Sequence, residues 1–298
     1  MQPPEHGLIQ KFLDEERLPP SFARLITEWY LPLARQLLER GRILDRPLIV
    51  GINGAQGTGK STLAKFLTLM LTHQQLRVAN LSLDDLYLDS HRRGDLASRI
   101  HPLLASRGVP GTHDLQLGEQ VMDLLADPAS EGQLALPRFD KAVDEPRPRA
   151  EWDTVALPVD VVLLEGWFVG LQAQPDALLD EPANSLEADE DPDGAWRRYV
   201  NQQLTNYQPL FDRLDYLVML KAPSFACVQQ WRSLQEQKLA ATAGTTANKV
   251  MDQPALDRFI QHFERLTRHC LATLPGQADL VFYLDEDHQI THSEPILH

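Results

Sequence analysis

Cysteine is nearly absent. Cys227 and Cys270 are the only two in 298 residues, too few for a disulfide framework or a cysteine-rich zinc site, and they read as reduced thiols. Positive charge is also scarce: 28 Lys and Arg stand against 42 Asp and Glu, a net charge of −14. That balance argues against a protein that coats DNA or anionic membrane non-specifically, while a local basic pocket stays compatible with it. Long apolar runs are missing, and no stretch approaches the ~18 continuous apolar residues of a membrane span. Residues 1–10 lack the basic start and apolar run of a signal peptide, so a cytoplasmic location is expected. The ten histidines form no metal motif. The remaining composition, 43% hydrophobic and 23% charged, is that of an ordinary globular chain. The length gives one large domain or two small ones, either with a sizeable core.

What is present is a change of pattern near residue 47. Residues 8–40 read as helical. Leu8, Ile9, Phe12 and Leu13 form one face of a short helix that Pro19-Pro20 ends. A second helix spans about 21–40, with Pro32 expected to kink or split it and Gly41 expected to stop it. After Pro47 come short apolar runs at 48–53, 78–83, 159–164, 215–221 and 279–284. Continuous apolar runs of this length read as strands buried on both faces. Amphipathic helices are expected at 61–76, 224–240 and 252–271, the last with Leu256, Phe259, Ile260, Phe263 and Leu266 at helical spacing. Strands alternating with helices predict an α/β fold in three layers around a five-stranded, mostly parallel sheet. Three stretches look like loops or insertions: 91–152, 172–195 with eight acids and no base, and 240–250.

Gly54-Ala55-Gln56-Gly57-Thr58-Gly59-Lys60-Ser61, followed by Thr62, fits the G-x-x-x-x-G-K-[ST] phosphate-binding loop in full, with a strand before it and a helix after it. The glycines let successive N–H groups point at phosphate oxygens, and the helix adds its positive end. Lys60 can reach the β- and γ-phosphates of ATP, and the Ser61 hydroxyl can bind Mg²⁺.

A nucleotide loop does not name a reaction. Asp84 and Asp85 follow the second strand, at the end that faces the ligand crevice of an open α/β sheet. A carboxylate there can deprotonate an acceptor hydroxyl or hold Mg²⁺; it can equally cap a turn. Glu165 ends the third strand after four apolar residues, where an acid supports Mg²⁺. Arg92, Arg93, Arg99 and Arg107 cluster around one acid, Asp95, and Arg138 and Lys141 flank Phe139. Either segment could meet an anionic acceptor. Arg232 and Lys238 lie on the helix after the fourth strand. There an arginine can cover the transferring phosphate, or simply be solvated. His113, in Gly111-Thr112-His113-Asp114, is the one histidine in a suggestive setting.

Together these residues carry a resemblance. The chain resembles the P-loop small-molecule kinases of the uridine kinase, pantothenate kinase and phosphoribulokinase group, and within it most of all the plant-type D-glycerate 3-kinases and their fungal and bacterial relatives. The matching pieces, across about residues 48–285, are Gly51 to Thr62, Ser82-Leu83-Asp84-Asp85-Leu86-Tyr87, Arg107 to Asp114, Leu136-Pro137-Arg138-Phe139-Asp140-Lys141, Leu164-Glu165-Gly166-Trp167 and Gln230 to Glu236. The helical N-terminal extension, residues 1–46, is also similar to that family, and 47–298 would be the kinase domain. Within it, 91–152 would be an acceptor-site insertion and 172–195 an acidic surface loop.

The resemblance implies Mg²⁺-ATP-dependent phosphorylation of D-glycerate to 3-phosphoglycerate. It implies Asp84 as general base, Glu165 with Ser61 and Asp84 near the metal, and Arg232 as the lid arginine. Asp85, Tyr87, Arg107, His113, Asp114, Arg138 and Lys141 would frame the acceptor. One departure bears on that pocket. After Lys141 the family often continues with Ser and a Gly-rich, Asp-Arg turn, whereas this chain has Ala142-Val143-Asp144-Glu145-Pro146-Arg147. A kinase of uridine or a pantothenate-like acceptor is the alternative. A P-loop ATPase or GTPase switch is a distant third. Its guanine signature is one residue too long at 248–252, and no transporter-type Ser-Gly-Gly stands before the acidic strand. The acids at 172–195 supply −8 of the net −14, so the overall charge says little about the partner, expected to be a small anion.

Overall fold

A computed structural model describes residues 3–242 and 253–295. Its central sheet has six strands: β1 Leu48–Gly54, β2 Val78–Ser82, β3 Val161–Gly166, β4 Tyr216–Lys221, β5 Leu280–Leu284 and β6 Ile290–Glu294. Their spatial order is β6-β5-β4-β1-β3-β2. The first five strands pair in parallel. The expected count of five is corrected by β6, which folds back antiparallel on β5. Its Ile-Thr-His-Ser-Glu sequence is polar because it is an edge strand, so apolar continuity does not reveal it.

Side-chain alternation along the strands builds the three layers. Leu48, Val50, Ile52, Val161, Leu163, Val218 and Leu220 enter one core, whereas Ile49, Val162, Leu164, Leu217 and Met219 enter the other. The first core is covered by the phosphate-loop helix Lys60–His73, through Phe66, Leu67 and Met70, and by the N-terminal helices. Phe12 of helix Pro3–Glu15 meets Phe66 edge-on at 5.4 Å. The N-terminal helices therefore share the core of the sheet and brace the helix that presents the phosphate loop.

Pro32 does not break the second helix. Phe22–Leu25, a π turn at Ile26–Tyr30 and Leu31–Ile43 run on continuously. A proline lacks an N–H and pushes against the carbonyl four residues back, here Glu28, and the wide turn holding Glu28 absorbs that clash. Gly41 stays right-handed inside the helix, which ends instead at Leu44, extended at φ −81°, ψ 143°.

The 91–152 stretch is more ordered than expected. It holds helix Leu115–Ala126, a hairpin of Gly132–Leu136 with Asp153–Leu157, and a two-residue ribbon of Phe139–Asp140 with Glu145–Pro146. Helix Ser90–Arg99 opens it. The 172–195 segment departs from an acidic surface loop. It contains a turn at Asp176–Leu179 and helix Ser185–Glu190, and Glu187 and Asp191 are fully buried against Arg265 and Arg197. The 248–252 segment, most of 240–250 and the side chain of Lys238 lie outside the described residues. Among the described residues, no helix is long and apolar enough to cross a membrane.

Candidate active site

β1, β2 and β3 end on the same edge of the sheet, and the phosphate loop leaves β1 there. Gly57 takes φ +86°, and a β-carbon on it would lie 2.8 Å from the Trp231 side chain. Glycine is thus required twice over, for dihedral and for space. The Thr58 hydroxyl ties the loop to itself by donating to the Ala55 carbonyl at 2.8 Å. Gly59 caps helix Lys60–His73 in the left-handed region, leaving the amides of the first turn for an anion.

Glu165, at the end of β3, faces that loop. Its Oε1 accepts from the Ser61 hydroxyl at 2.9 Å, and Lys60 Nζ stands 3.8 Å from Oε2. Oε2 is buried and has no hydrogen-bond partner. An orphaned, buried carboxylate oxygen beside a serine hydroxyl suits a hard, oxygen-seeking cation.

Asp84 lies in the short helical turn Leu83–Leu86 after β2. Its Oδ1 accepts from the Tyr87 hydroxyl at 2.8 Å and its Oδ2 from Lys141 Nζ at 2.5 Å. Burial pushes the Asp84 carboxyl up. The charges of Lys141 and Lys60 and the two hydrogen bonds outweigh it, holding the group ionised well below the usual carboxylate range. Asp85 has a different task. It accepts from the Phe139 N–H at 3.0 Å and from Arg138 at 3.3 Å, anchoring the strand that leads to Lys141. Burial raises its pKa, against the pull of that N–H and Arg138.

Gln56, Lys60, Asp84, Tyr87, Arg107, Lys141, Trp167, Arg232, Phe259 and Phe263 enclose one cavity of about 100 Å³. The expected residues Lys60, Asp84, Tyr87, Arg107, Lys141 and Arg232 are therefore brought together. Arg107 pairs with Asp144 and lies over the Phe139 ring, its carbon Cζ 5.7 Å from the ring centre. Four expected acceptor residues, Asp85, His113, Asp114 and Arg138, do not line the cavity. Asp114 caps helix Leu115–Ala126 by accepting from the Leu117 N–H at 3.1 Å, and pairs with Arg92. Arg138 is held by Asp85 and Asp153. His113 is buried behind Tyr87, with ring centres 4.5 Å apart and Nδ1 2.7 Å from the Tyr207 hydroxyl. Burial pulls its pKa down to about 3, against the upward pull of Asp84, so the imidazole is neutral.

Other contributors escape a sequence reading. Trp167, Phe259 and Phe263 line the cavity, yet their spacing reads as core. Asp144, at φ +65°, pairs with both Arg107 and the buried Arg93. Aspartate tolerates the left-handed region, which is how this chain makes the turn after Lys141 without a glycine. The clue in the sequence is the departure itself.

No protein-family model matches the chain. It is 32% identical over 248 residues to an uncharacterized kinase of Schizosaccharomyces pombe, mug58, spanning 79% of this chain and 85% of that one. It is 29% identical over 255 residues to the chloroplastic D-glycerate 3-kinase of Arabidopsis thaliana, spanning 81% of this chain and about half, 53%, of the plant protein. Among solved structures, a D-glycerate 3-kinase from Cryptococcus neoformans superposes with a TM-score of 0.69 at 26% identity, over 87% of this chain and 95% of that one.

Proposed function

The chain belongs to the family of P-loop small-molecule kinases that includes D-glycerate 3-kinase, and on that premise we propose that it phosphorylates D-glycerate to 3-phosphoglycerate with ATP. One observation carries the choice of acceptor: Arg107, Lys141 and Arg232 converge with Lys60 and Asp84 on a single small cavity. A cavity with that many cations favours an acceptor bearing a carboxylate.

In this reading Lys60 and the amides of residues 54–62 hold the ATP phosphates. Ser61 and Glu165 would hold Mg²⁺, with Asp84 nearby, and the ion would neutralise phosphate charge. Arg232 lies over the transferring group. Arg107, fixed by its bond to Asp144, offers its remaining N–H donors to the glycerate carboxylate. Asp84 accepts the proton of the attacking hydroxyl, while Tyr87, backed by the His113 ring, fixes the plane of the carboxylate. Trp167, Phe259 and Phe263 keep the cavity dry, which strengthens each charged contact.

A panel of acceptors with coupled ADP detection tests the proposal. D-glycerate should be used at least roughly 100-fold better than uridine, a neutral acceptor that leaves the charged groups of the site unpaired, and better than pantothenate, an anion too long for a cavity of about 100 Å³. Turnover of uridine without turnover of glycerate would reject the acceptor. Arg107→Lys should raise the acceptor KM about tenfold, the scale of one charge-assisted hydrogen bond, with the ATP KM within about twofold of wild type. An equal rise in both would place Arg107 on the nucleotide instead.

A further inference from the structure

Asp84 is a weakened proton acceptor while its oxygens are engaged as they are, each giving one of its lone pairs to a donor. Oδ1 is held by Tyr87 and Oδ2 by Lys141. The two partners differ in freedom. Tyr87 is buried, packed on His113 and edge-on to Phe139 at 5.4 Å. Lys141 sits at the tip of the ribbon Phe139–Asp140/Glu145–Pro146, and its side chain is 58% exposed. A flexible, strongly hydrated ammonium on a four-carbon stem can swing; the packed phenol cannot. The ribbon itself is pinned, by Asp144 to Arg93 and by Glu145 to Ser90, so the side chain alone is the moving part.

We propose that Lys141 is a lock on Asp84 which the acceptor's own carboxylate opens. This rests on the reading of Asp84 as the base and of the acceptor as an anion. With the cavity empty of acceptor, Lys141 holds the oxygen that would receive a proton, so a water beside ATP finds only a weakened base. An arriving carboxylate competes for the ammonium and draws it off. A neutral acceptor has no differential attraction for the unlocked state and cannot shift the balance. In the unlocked state the acceptor hydroxyl oxygen bonds to the γ-phosphorus and the bond from that phosphorus to the β–γ bridging oxygen breaks. ADP leaves with that electron pair, and the hydroxyl proton passes to Asp84 Oδ2. With water as acceptor the same steps give inorganic phosphate. The lock therefore confers specificity for an anionic acceptor and suppresses ATP hydrolysis in its absence.

The test is phosphate release from Mg²⁺-ATP by the full chain without any acceptor, for wild type, Lys141→Met and Lys141→Arg. Lys141→Met should hydrolyse ATP at least about tenfold faster than wild type, a fraction of the range that general base catalysis spans. Lys141→Arg, which keeps a cation within reach of Asp84, should hydrolyse ATP several-fold more slowly than Lys141→Met. Hydrolysis by Lys141→Met at or below the wild-type rate overturns the lock, as does hydrolysis by Lys141→Arg as fast as by Lys141→Met. The exposure of Lys141 makes misfolding an unsuitable explanation, and an unchanged Tm verifies it. Because no acceptor is present, the result is independent of acceptor identity. A wild-type enzyme that ignores glycerate rejects the glycerate reading, whereas the hydrolysis ratio alone judges the lock.

Discussion

Asp84→Asn should cut phosphoryl transfer roughly 10²- to 10⁴-fold, the range for loss of a general base, and leave the ATP dissociation constant within about twofold of wild type. The amide matches the carboxylate in size and its carbonyl still accepts from Tyr87, so the turn at Leu83–Leu86 keeps its shape. What is lost is the second acceptor oxygen, now held by Lys141. The groups placed to hold nucleotide phosphates, Lys60 and the loop amides, are untouched. Single-turnover transfer and equilibrium nucleotide binding separate the two effects. Unchanged turnover removes Asp84 as the base. A parallel loss of ATP binding makes it a nucleotide or metal ligand first.

Arg197→Ala should destabilise the fold by ~3–5 kcal/mol, the cost of leaving a buried charge without its partner, and lower Tm by on the order of 10 °C. Asp191 is fully buried. It accepts from the Trp196 and Arg197 amides at 2.7 and 3.1 Å and from the Arg197 guanidinium at 3.1 Å. Arg197 also donates to the carbonyls of Leu179 and Asp191 at 2.7 and 2.6 Å, so its loss strands several acceptors together. The exposed pair of Arg258 with Glu190 provides the contrast: Arg258→Ala should cost ~1 kcal/mol or less. Thermal unfolding of the two variants side by side reads the difference. Equal, small shifts would mean that the 172–195 segment is solvated after all.

That segment shows where the sequence stops being informative. Its acids are visible as a run, but their partners Arg197, Arg258 and Arg265 lie 6 to 78 residues from the acids they meet, and nothing local marks the pairing. β1 and β3 are legible because both faces are buried, which forces continuous apolar runs in 48–52 and 161–164. β6 is not legible, since an edge strand beside solvent has no such constraint. The phosphate loop, Asp84 and Glu165 stand out because the chemistry proposed for them ties residue type to position along the chain. The Lys141–Asp84 contact spans 57 residues and depends on how the 139–146 ribbon folds over the cavity. Asp114 illustrates the opposite error. Within one motif, a helix cap and a substrate ligand look the same, and only the helix that follows it distinguishes them.

The proposed reaction moves the γ-phosphate of ATP onto a hydroxyl of glycerate. Phosphorus NMR of the products formed from ATP, Mg²⁺ and D-glycerate tests it most directly. One new phosphomonoester resonance, coupled to the C3 methylene protons, should grow in step with ADP and be missing from Asp84→Asn. Inorganic phosphate as the only product, or an ester formed with uridine or pantothenate but not with glycerate, would contradict it.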